Sequence, residues 1–305
     1  MIMVPTWRGT SLDSPVTKVT IPLVAAVGSE FYPSGTACII APWLAITARH
    51  VVEDYFEQFL ERRPNNTDET SHRTMTYVAP GGGQPVIPLL VQRTWYVKPY
   101  DIAVLYLSPG SEMDPNHVWD LPTFSLLPPR AGSRISAFGY PNSKFETIGT
   151  NNYELQLDAH TTDGIVQEVH HEKRDGVRLP FPCFRTNARF DGGMSGAPVF
   201  NDQGSVCGLI CSSFPPTSPD EDHASYVSTI WPMLVIPIDA PWDRYPAGTR
   251  YCLYEYAQEN IIPTIGLKHF TLNKSPQGDQ LICQYDDQTV ELSNMSAVVS
   301  KTEKP

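Results

Sequence analysis

Three residues, each at what reads as the boundary of a secondary-structure element, are of the types that nucleophilic catalysis needs. Ser195 lies in Phe190-Asp191-Gly192-Gly193-Met194-Ser195-Gly196-Ala197-Pro198-Val199. Glycines on both sides of the hydroxyl let the backbone turn tightly and bring amide N–H groups close to a ligand, which is how an oxyanion hole is made. His50 lies in Ile46-Thr47-Ala48-Arg49-His50-Val51-Val52, and Asp101 heads the very apolar Tyr100-Asp101-Ile102-Ala103-Val104-Leu105-Tyr106-Leu107. Singly, each has an ordinary explanation: a Ser-Gly turn, a structural imidazole, a strand-initiating carboxylate bonded to a turn. Together, in the order His, Asp, Ser, they supply a general base, the carboxylate that orients it, and a nucleophile. His50 and Asp101 are 51 residues apart and Asp101 and Ser195 are 94 apart, close to one small barrel in each interval.

The elements that must position these groups read as short strands. β-Rich runs bounded by turn residues cover Lys18–Val27, Thr36–Ile40, Trp43–Thr47, Thr74–Val78, Val86–Val97 and Ile102–Leu107, about what one antiparallel barrel needs. A Pro-rich extended connector follows over residues 108–131. A second series covers Arg134–Phe138, Tyr153–Leu157, Gly164–His170, Cys183–Thr186, Ala197–Phe200, Ser205–Cys211 and Ser225–Ile230. Two β-barrels in tandem is the natural architecture. Apolar residues Val52, Tyr55, Phe56, Phe59 and Leu60 at helical spacing predict an amphipathic helix over Val51–Arg62. A second short helix is predicted around Arg250–Asn260. Short strands are expected at His269–Leu272, Gln280–Tyr285 and Thr289–Ser293. The organisation is thus a lead over 1–18, a first barrel over 19–110, the connector, a second barrel over 132–240 and an extension over 241–305. The fold class is all-β: two six-stranded antiparallel barrels, few short helices, and a short mixed extension.

Composition narrows the class of function. The 305 residues carry 33 Asp and Glu against 22 Lys and Arg, a formal net charge of −11, which argues against nucleic-acid binding. Hydrophobic residues make up 41% and charged residues 18%, enough apolar material for a sizeable core and too little charge for disorder. Pro, at 29 residues, is nearly twice the usual ~5% and suits many short strands rather than long helices. No apolar run approaches the ~20 residues of a membrane span, and no basic segment precedes the run Ile21–Val27 as a secretion signal requires. The expectation is a cytoplasmic protein without membrane contact. The six cysteines (Cys38, Cys183, Cys207, Cys211, Cys252, Cys283) lack the spacing of a zinc knuckle or redox dithiol and read as buried thiols. Cys207 and Cys211, four apart in one strand, are expected on one face but ~13 Å apart, too far for a disulfide. His170 and His171 followed by Glu172 do not make a metal site, because adjacent residues of a strand point oppositely. No metal and no cofactor is expected.

With these motifs quoted, the chain resembles the trypsin/chymotrypsin-like serine proteases of the bacterial intracellular or HtrA-related type over roughly Val19 to Asp239. Thr-Ala-x-His, Asp-Ile-Ala-Val and Gly-x-Ser-Gly-x-Pro carry the resemblance. Further matches are Ser34-Gly35-Thr36-Ala37, Ala137-Phe138-Gly139-Tyr140-Pro141, Gly164-Ile165-Val166 and Gly204-Ser205-Val206-Cys207-Gly208-Leu209-Ile210. The resemblance implies that Ser195 attacks a carbonyl, His50 takes its proton, Asp101 fixes the His tautomer, and the amides of Gly193 and Ser195 hold the oxyanion. It implies a serine endopeptidase acting on a protein or peptide substrate. Residue Arg189, six before the serine, falls at the base of the primary pocket, with Ser212, Ser213 and Phe214 along its wall. There it favours acidic side chains; the competing placement has Arg189 pointing outward or paired with Asp191. Loops Glu61–Arg73, His170–Pro182 and Phe214–His223 look enlarged. Two departures from the family pattern matter. Met194 replaces the Asp that digestive members pair with a new N-terminus, so the oxyanion loop must be ordered otherwise, an activating protein partner included. Cys38 lacks its usual disulfide partner, which fits a reducing compartment. The extension is short for a peptide-binding module and is expected to dock on the barrels as an extra layer or to bind a partner. The alternatives are a silent protease-fold scaffold, or an esterase using the same nucleophile.

Overall fold

The computed structural model describes residues 5–27, 30–55, 74–79, 87–110, 117–147, 153–214, 223–285, 288–294 and 297–301. In chain order, β1 is Thr6–Gly9, β2 Thr20–Val27, β3 Glu30–Ala41 and β4 Leu44–Thr47. Helix α1 (Arg49–Tyr55) precedes β5 (Thr74–Ala79), β6 (Ile87–Val97), β7 (Ala103–Pro109) and the two-residue β8 (Phe124–Ser125). Then come β9 (Arg134–Gly139), β10 (Lys144–Thr147), β11 (Tyr153–Gln156), β12 (His160–His170), β13 (Cys183–Thr186), β14 (Pro198–Asn201), β15 (Val206–Phe214) and β16 (Ala224–Thr229).

Two antiparallel six-stranded rings result. The first closes as β6-β5-β2-β3-β4-β7 and back to β6; the second closes as β14-β9-β12-β13-β16-β15 and back to β14. This is the chymotrypsin-like fold, with only two short α-helices among the described residues. The first-barrel strands fall where the β-rich runs put them. One face of β3, β4 and β7 (Ala37, Ile39, Ala45, Ala103, Leu105) fills the first barrel. Their other face (Cys38, Ile40, Leu44, Ile46, Val104) enters a larger core between the barrels. Burial on both faces explains why these runs are apolar throughout. All four residues of β4 are fully buried, so the strand that leads to His50 is rigid.

Three expectations change. Tyr153–Leu157 was expected among the second-barrel strands, but β11 pairs only with β10 as a separate hairpin. Cys207 and Cys211 lie on opposite faces, one inside the second barrel and the other between the barrels. A bulge in the β14–β15 ladder between the Val199/Gly208 and Phe200/Val206 pairs shifts the alternation by one residue. The predicted helix over Val51–Arg62 begins earlier, at Arg49, and Phe56, Phe59 and Leu60 lie outside the described residues, as does Glu61–Arg73.

In each barrel a long strand is paired over only part of its length by a neighbour within the ring, and a further strand covers the rest. In β12, β13 pairs with residues Val166–His170, and β1 covers the edge over His160–Asp163. In β6, β5 pairs with Ile87–Leu90, and β23 (Ala297–Lys301) covers Arg93–Val97 after the intervening β17 (Pro237–Asp239), β18 (Arg250–Cys252), α2 (Leu253–Gln258), β19 (Thr264–Ile265), β20 (Phe270–Asn273), β21 (Gln280–Tyr285) and β22 (Gln288–Ser293). Pairing of this kind blunts exposed sheet edges. The extension joins the core between the barrels through Leu253, Tyr256, Ile262, Phe270, Leu281 and Leu292. No helix among the described residues is long and apolar enough to cross a membrane.

Candidate active site

β4 runs into α1 at Thr47–Arg49, which puts His50 on the first turn of the helix with its side chain one-third exposed. Asp101 lies just before β7 and is buried, 4% exposed. A carboxylate so enclosed needs donors, and His50 supplies two. Its backbone N–H donates to Asp101 Oδ1 at 3.0 Å, and ring Nδ1 lies 2.9 Å from Oδ2 and 3.1 Å from Oδ1. With the Nδ1 proton donated to Asp101, Nε2 keeps its lone pair and can accept a proton. Burial by itself pulls the imidazole pKa down. The hydrogen bond and charge of Asp101, aided by the charge of Asp54, outweigh that pull and the opposing Arg49, so the pKa stands above its usual 6.5.

Ser195 sits at the end of a turn closed by Met194 N–H donating to the Asp191 carbonyl at 3.1 Å. Gly193 has φ +90°, the left-handed conformation that the third position of a type II turn demands and that glycine adopts without penalty. Its carbonyl accepts from Thr36 Oγ1 at 2.8 Å. Neither the Gly193 nor the Ser195 amide N–H donates to a protein acceptor among the described residues. Met194 is fully buried in the second-barrel core, and burying such a side chain contributes ~1.5–3 kcal/mol. That apolar anchor replaces the ion pair that the sequence lacks at this position.

The serine turn is docked on the strands that deliver His50. The Ser195 carbonyl accepts from Thr36 N–H at 2.9 Å, and Gly196 N–H donates to the Ile210 carbonyl at 2.8 Å. A Cβ on Gly196 would stand 2.1 Å from Thr47 Oγ1 and 2.7 Å from the Ala48 nitrogen. The serine backbone therefore lies against the last residues before α1. Burial, aided by the charge of Asp101, raises the pKa of the Cys211 thiol on β15.

The model of the trypsin-like peptidase domain matches residues 35–209, a span that holds His50, Asp101 and Ser195. The chain belongs to that family, and is a serine protease. No curated protein sequence matches this peptidase. Among solved structures, it is similar to the active form of the Rv3671c protease from M. tuberculosis, at 18% identity over 72% of this chain and 80% of that one, with TM-score 0.43. It is also similar to the apo MamO protease domain from Magnetospirillum magneticum, at 15% identity over 70% and 93%, TM-score 0.46. Deg5 matches at 14% identity over 72% and 86%, TM-score 0.48.

Within the peptidase, Arg189 takes the competing placement, turned outward and paired with Asp191. Its Nε and Nη2 donate to Asp191 Oδ1 and Oδ2 at 2.8 and 2.6 Å, and its guanidinium lies 4.5 Å from the centre of the Trp7 ring. The reason is alternation: Phe190 turns into the second-barrel core, so its neighbours Arg189 and Asp191 turn outward together. Ser212, Ser213 and Phe214 are the last three residues of β15. Ser213 Oγ lies 2.8 Å from Ser225 Oγ, which donates to the Ala188 carbonyl at 2.6 Å. Phe214 is 39% exposed and meets Tyr226 edge-on. Residues 215–222 of the loop beyond Phe214 lie outside the described residues. Within Ser34-Gly35-Thr36-Ala37 nothing in the sequence signals that Thr36 braces the Gly193 carbonyl. Met194, a missing ion pair by sequence, is an apolar anchor in the fold.

Proposed function

We propose that this peptidase is an endopeptidase that cleaves a protein substrate through an acyl-enzyme. Ser195 Oγ attacks the carbonyl, His50 Nε2 takes its proton and later returns it to the leaving amine, and Asp101 holds the imidazole in that tautomer. The amides of Gly193 and Ser195 receive the developing oxyanion. The observation that carries this reading is the double acceptance of His50 by the buried Asp101 carboxylate. Structural imidazoles need no such arrangement, and it prepares the one nitrogen that a serine hydroxyl requires. The turn's anchorage by Met194 and Thr36 favours competence at rest over a turn that waits for a partner.

The test is incubation of the purified protein with an unfolded protein and with amide and ester substrates, followed by mass-spectrometric mapping of new termini. Internal peptide-bond cleavage lost in Ser195→Ala supports the proposal. Hydrolysis of esters alone would make the protein an esterase, and no turnover of either would make it a binding scaffold.

A further inference from the structure

The Asp191–Met194 turn has two consecutive glycines at its centre, and a Gly-Gly peptide plane rotates at little steric cost. Rotation of that one plane exchanges type II for type I geometry and reverses the direction of the Gly193 N–H. The turn is fixed on one side by Met194 and Thr36. Its other side begins at Asp191, whose carboxylate is held by both nitrogens of the Arg189 fork. Arg189 in turn rests on the face of Trp7, and Trp7 also stacks with His160 at 4.6 Å and 24°.

Trp7 belongs to β1, which nothing in the catalytic chemistry requires. β1 is anchored on β12 by its own ladder, by Thr6 Oγ1 donating to Asp163 Oδ2 at 2.5 Å, and by the Arg8–Asp163 ion pair. Ser136 Oγ holds the other oxygen of Asp163 at 2.5 Å. A chain of contacts thus runs from β1 to the first residue of the turn.

We propose that β1 positions the oxyanion amide of Gly193 through a Trp7–Arg189–Asp191 clamp, which makes Trp7 and Arg189 positioning residues for catalysis. The proposal rests on the triad reading above. Without Trp7 the guanidinium loses its stacking face, and without Arg189 the Asp191 end of the turn is released. Both changes let the Gly192–Gly193 plane reorient, and the cost falls on the transition state rather than on substrate binding.

The experiment compares Trp7→Ala, Trp7→Phe, Arg189→Ala and the Trp7→Ala/Arg189→Ala double variant with wild type, using a fluorophosphonate and an activated ester. Losing an oxyanion donor outright costs ~10²–10³ in rate, so a turn that samples the wrong orientation loses about tenfold. The clamp predicts that loss in kcat with KM within about twofold for Trp7→Ala and Arg189→Ala, with Trp7→Phe near wild type. The double variant is no slower than the worse single one, because both act through the same link. Unchanged kcat in the single variants, or losses that multiply in the double variant, overturns the clamp. Rates are expressed per folded protein, with near-ultraviolet circular dichroism as the measure of folding. If wild type itself is unreactive, the triad reading fails and amide hydrogen exchange over residues 191–194 decides the clamp. Faster exchange in the alanine variants upholds it, and equal exchange overturns it.

Discussion

Asp101→Asn is the change whose consequence the geometry defines most closely. Asn can keep one of the two bonds, since its Oδ1 still accepts the His50 backbone N–H at the present 3.0 Å. The amide NH₂ then faces ring Nδ1, where the carboxylate now sits at 2.9 Å, and drives the proton onto Nε2, the nitrogen that must be free. Two losses follow at the transition state, where the imidazole becomes charged. The ion-pair attraction at about 4 Å is worth ~4 kcal/mol at an effective dielectric constant near 20, and the charge-assisted hydrogen bond adds ~1.5 kcal/mol. A sum of ~5.5 kcal/mol is a factor of about 10⁴ in rate, the order of loss known for this substitution in a Ser-His-Asp triad. The pH profile must move as well. In wild type the acylation rate falls as pH drops through the His50 pKa, above 6.5; without the carboxylate's hydrogen bond and charge the downward pull of burial is less opposed, and the limb shifts to lower pH. The assay is kcat/KM for an activated ester from pH 5 to 9, with folding checked at each pH. A rate within tenfold of wild type, or a limb that stays in place, would refute the reasoning. The raised pKa also links to stability: protonation of His50 contributes fully below pH 6.5, and the contribution fades as pH rises through the folded-state pKa.

Other expectations concern the framework. Gly196→Ala combines a φ of +80° with a Cβ 2.1 Å from Thr47 Oγ1, adding ~1–2 kcal/mol of backbone strain. It also displaces the Thr47–Thr36 hydrogen bond, ~1 kcal/mol more. Calorimetry should show Tm lower by about 5 °C or more, with serine labelling lost, and an unchanged Tm contradicts the packing described. Tyr256 is fully buried and its hydroxyl lacks a partner among the described residues. Tyr256→Phe is therefore neutral or stabilising by ~1 kcal/mol in urea melts, and a clear destabilisation would reveal a partner. Burial pushes the thiols of Cys183 and Cys207 up to about 12 and Cys283 to about 11, and raises those of Cys38, Cys211 and Cys252 as well. Native protein at pH 8 should react with a thiol reagent far more slowly than denatured protein, which exposes all six; fast labelling of a folded thiol contradicts this.

What the sequence made legible was the local chemistry and the strand series. The His50 and Asp101 strands are apolar on both faces because both are buried, so their boundaries stand out, and glycines mark the serine turn. What it concealed depends on contacts distant in the chain. β1 is only Thr6-Trp7-Arg8-Gly9, too short and polar to announce a strand, and it forms because half of the β12 edge is free. Arg189 reads as a pocket residue when aligned by distance from the serine, yet Phe190 takes the inward position and sends it to Trp7. The opposite facing of Cys207 and Cys211 follows from a bulge that the residues of β15 alone do not signal. Thr36 and Met194 carry no catalytic signature; their roles exist only once the two barrels meet.

The most direct test of the account is intact-mass analysis after fluorophosphonate treatment of wild type, Ser195→Ala and His50→Ala. A single adduct on wild type, mapped to Ser195, and none on either variant under the same conditions is the expected result. An adduct that persists in Ser195→Ala, or wild type that stays unlabelled at millimolar probe while folded, would contradict it.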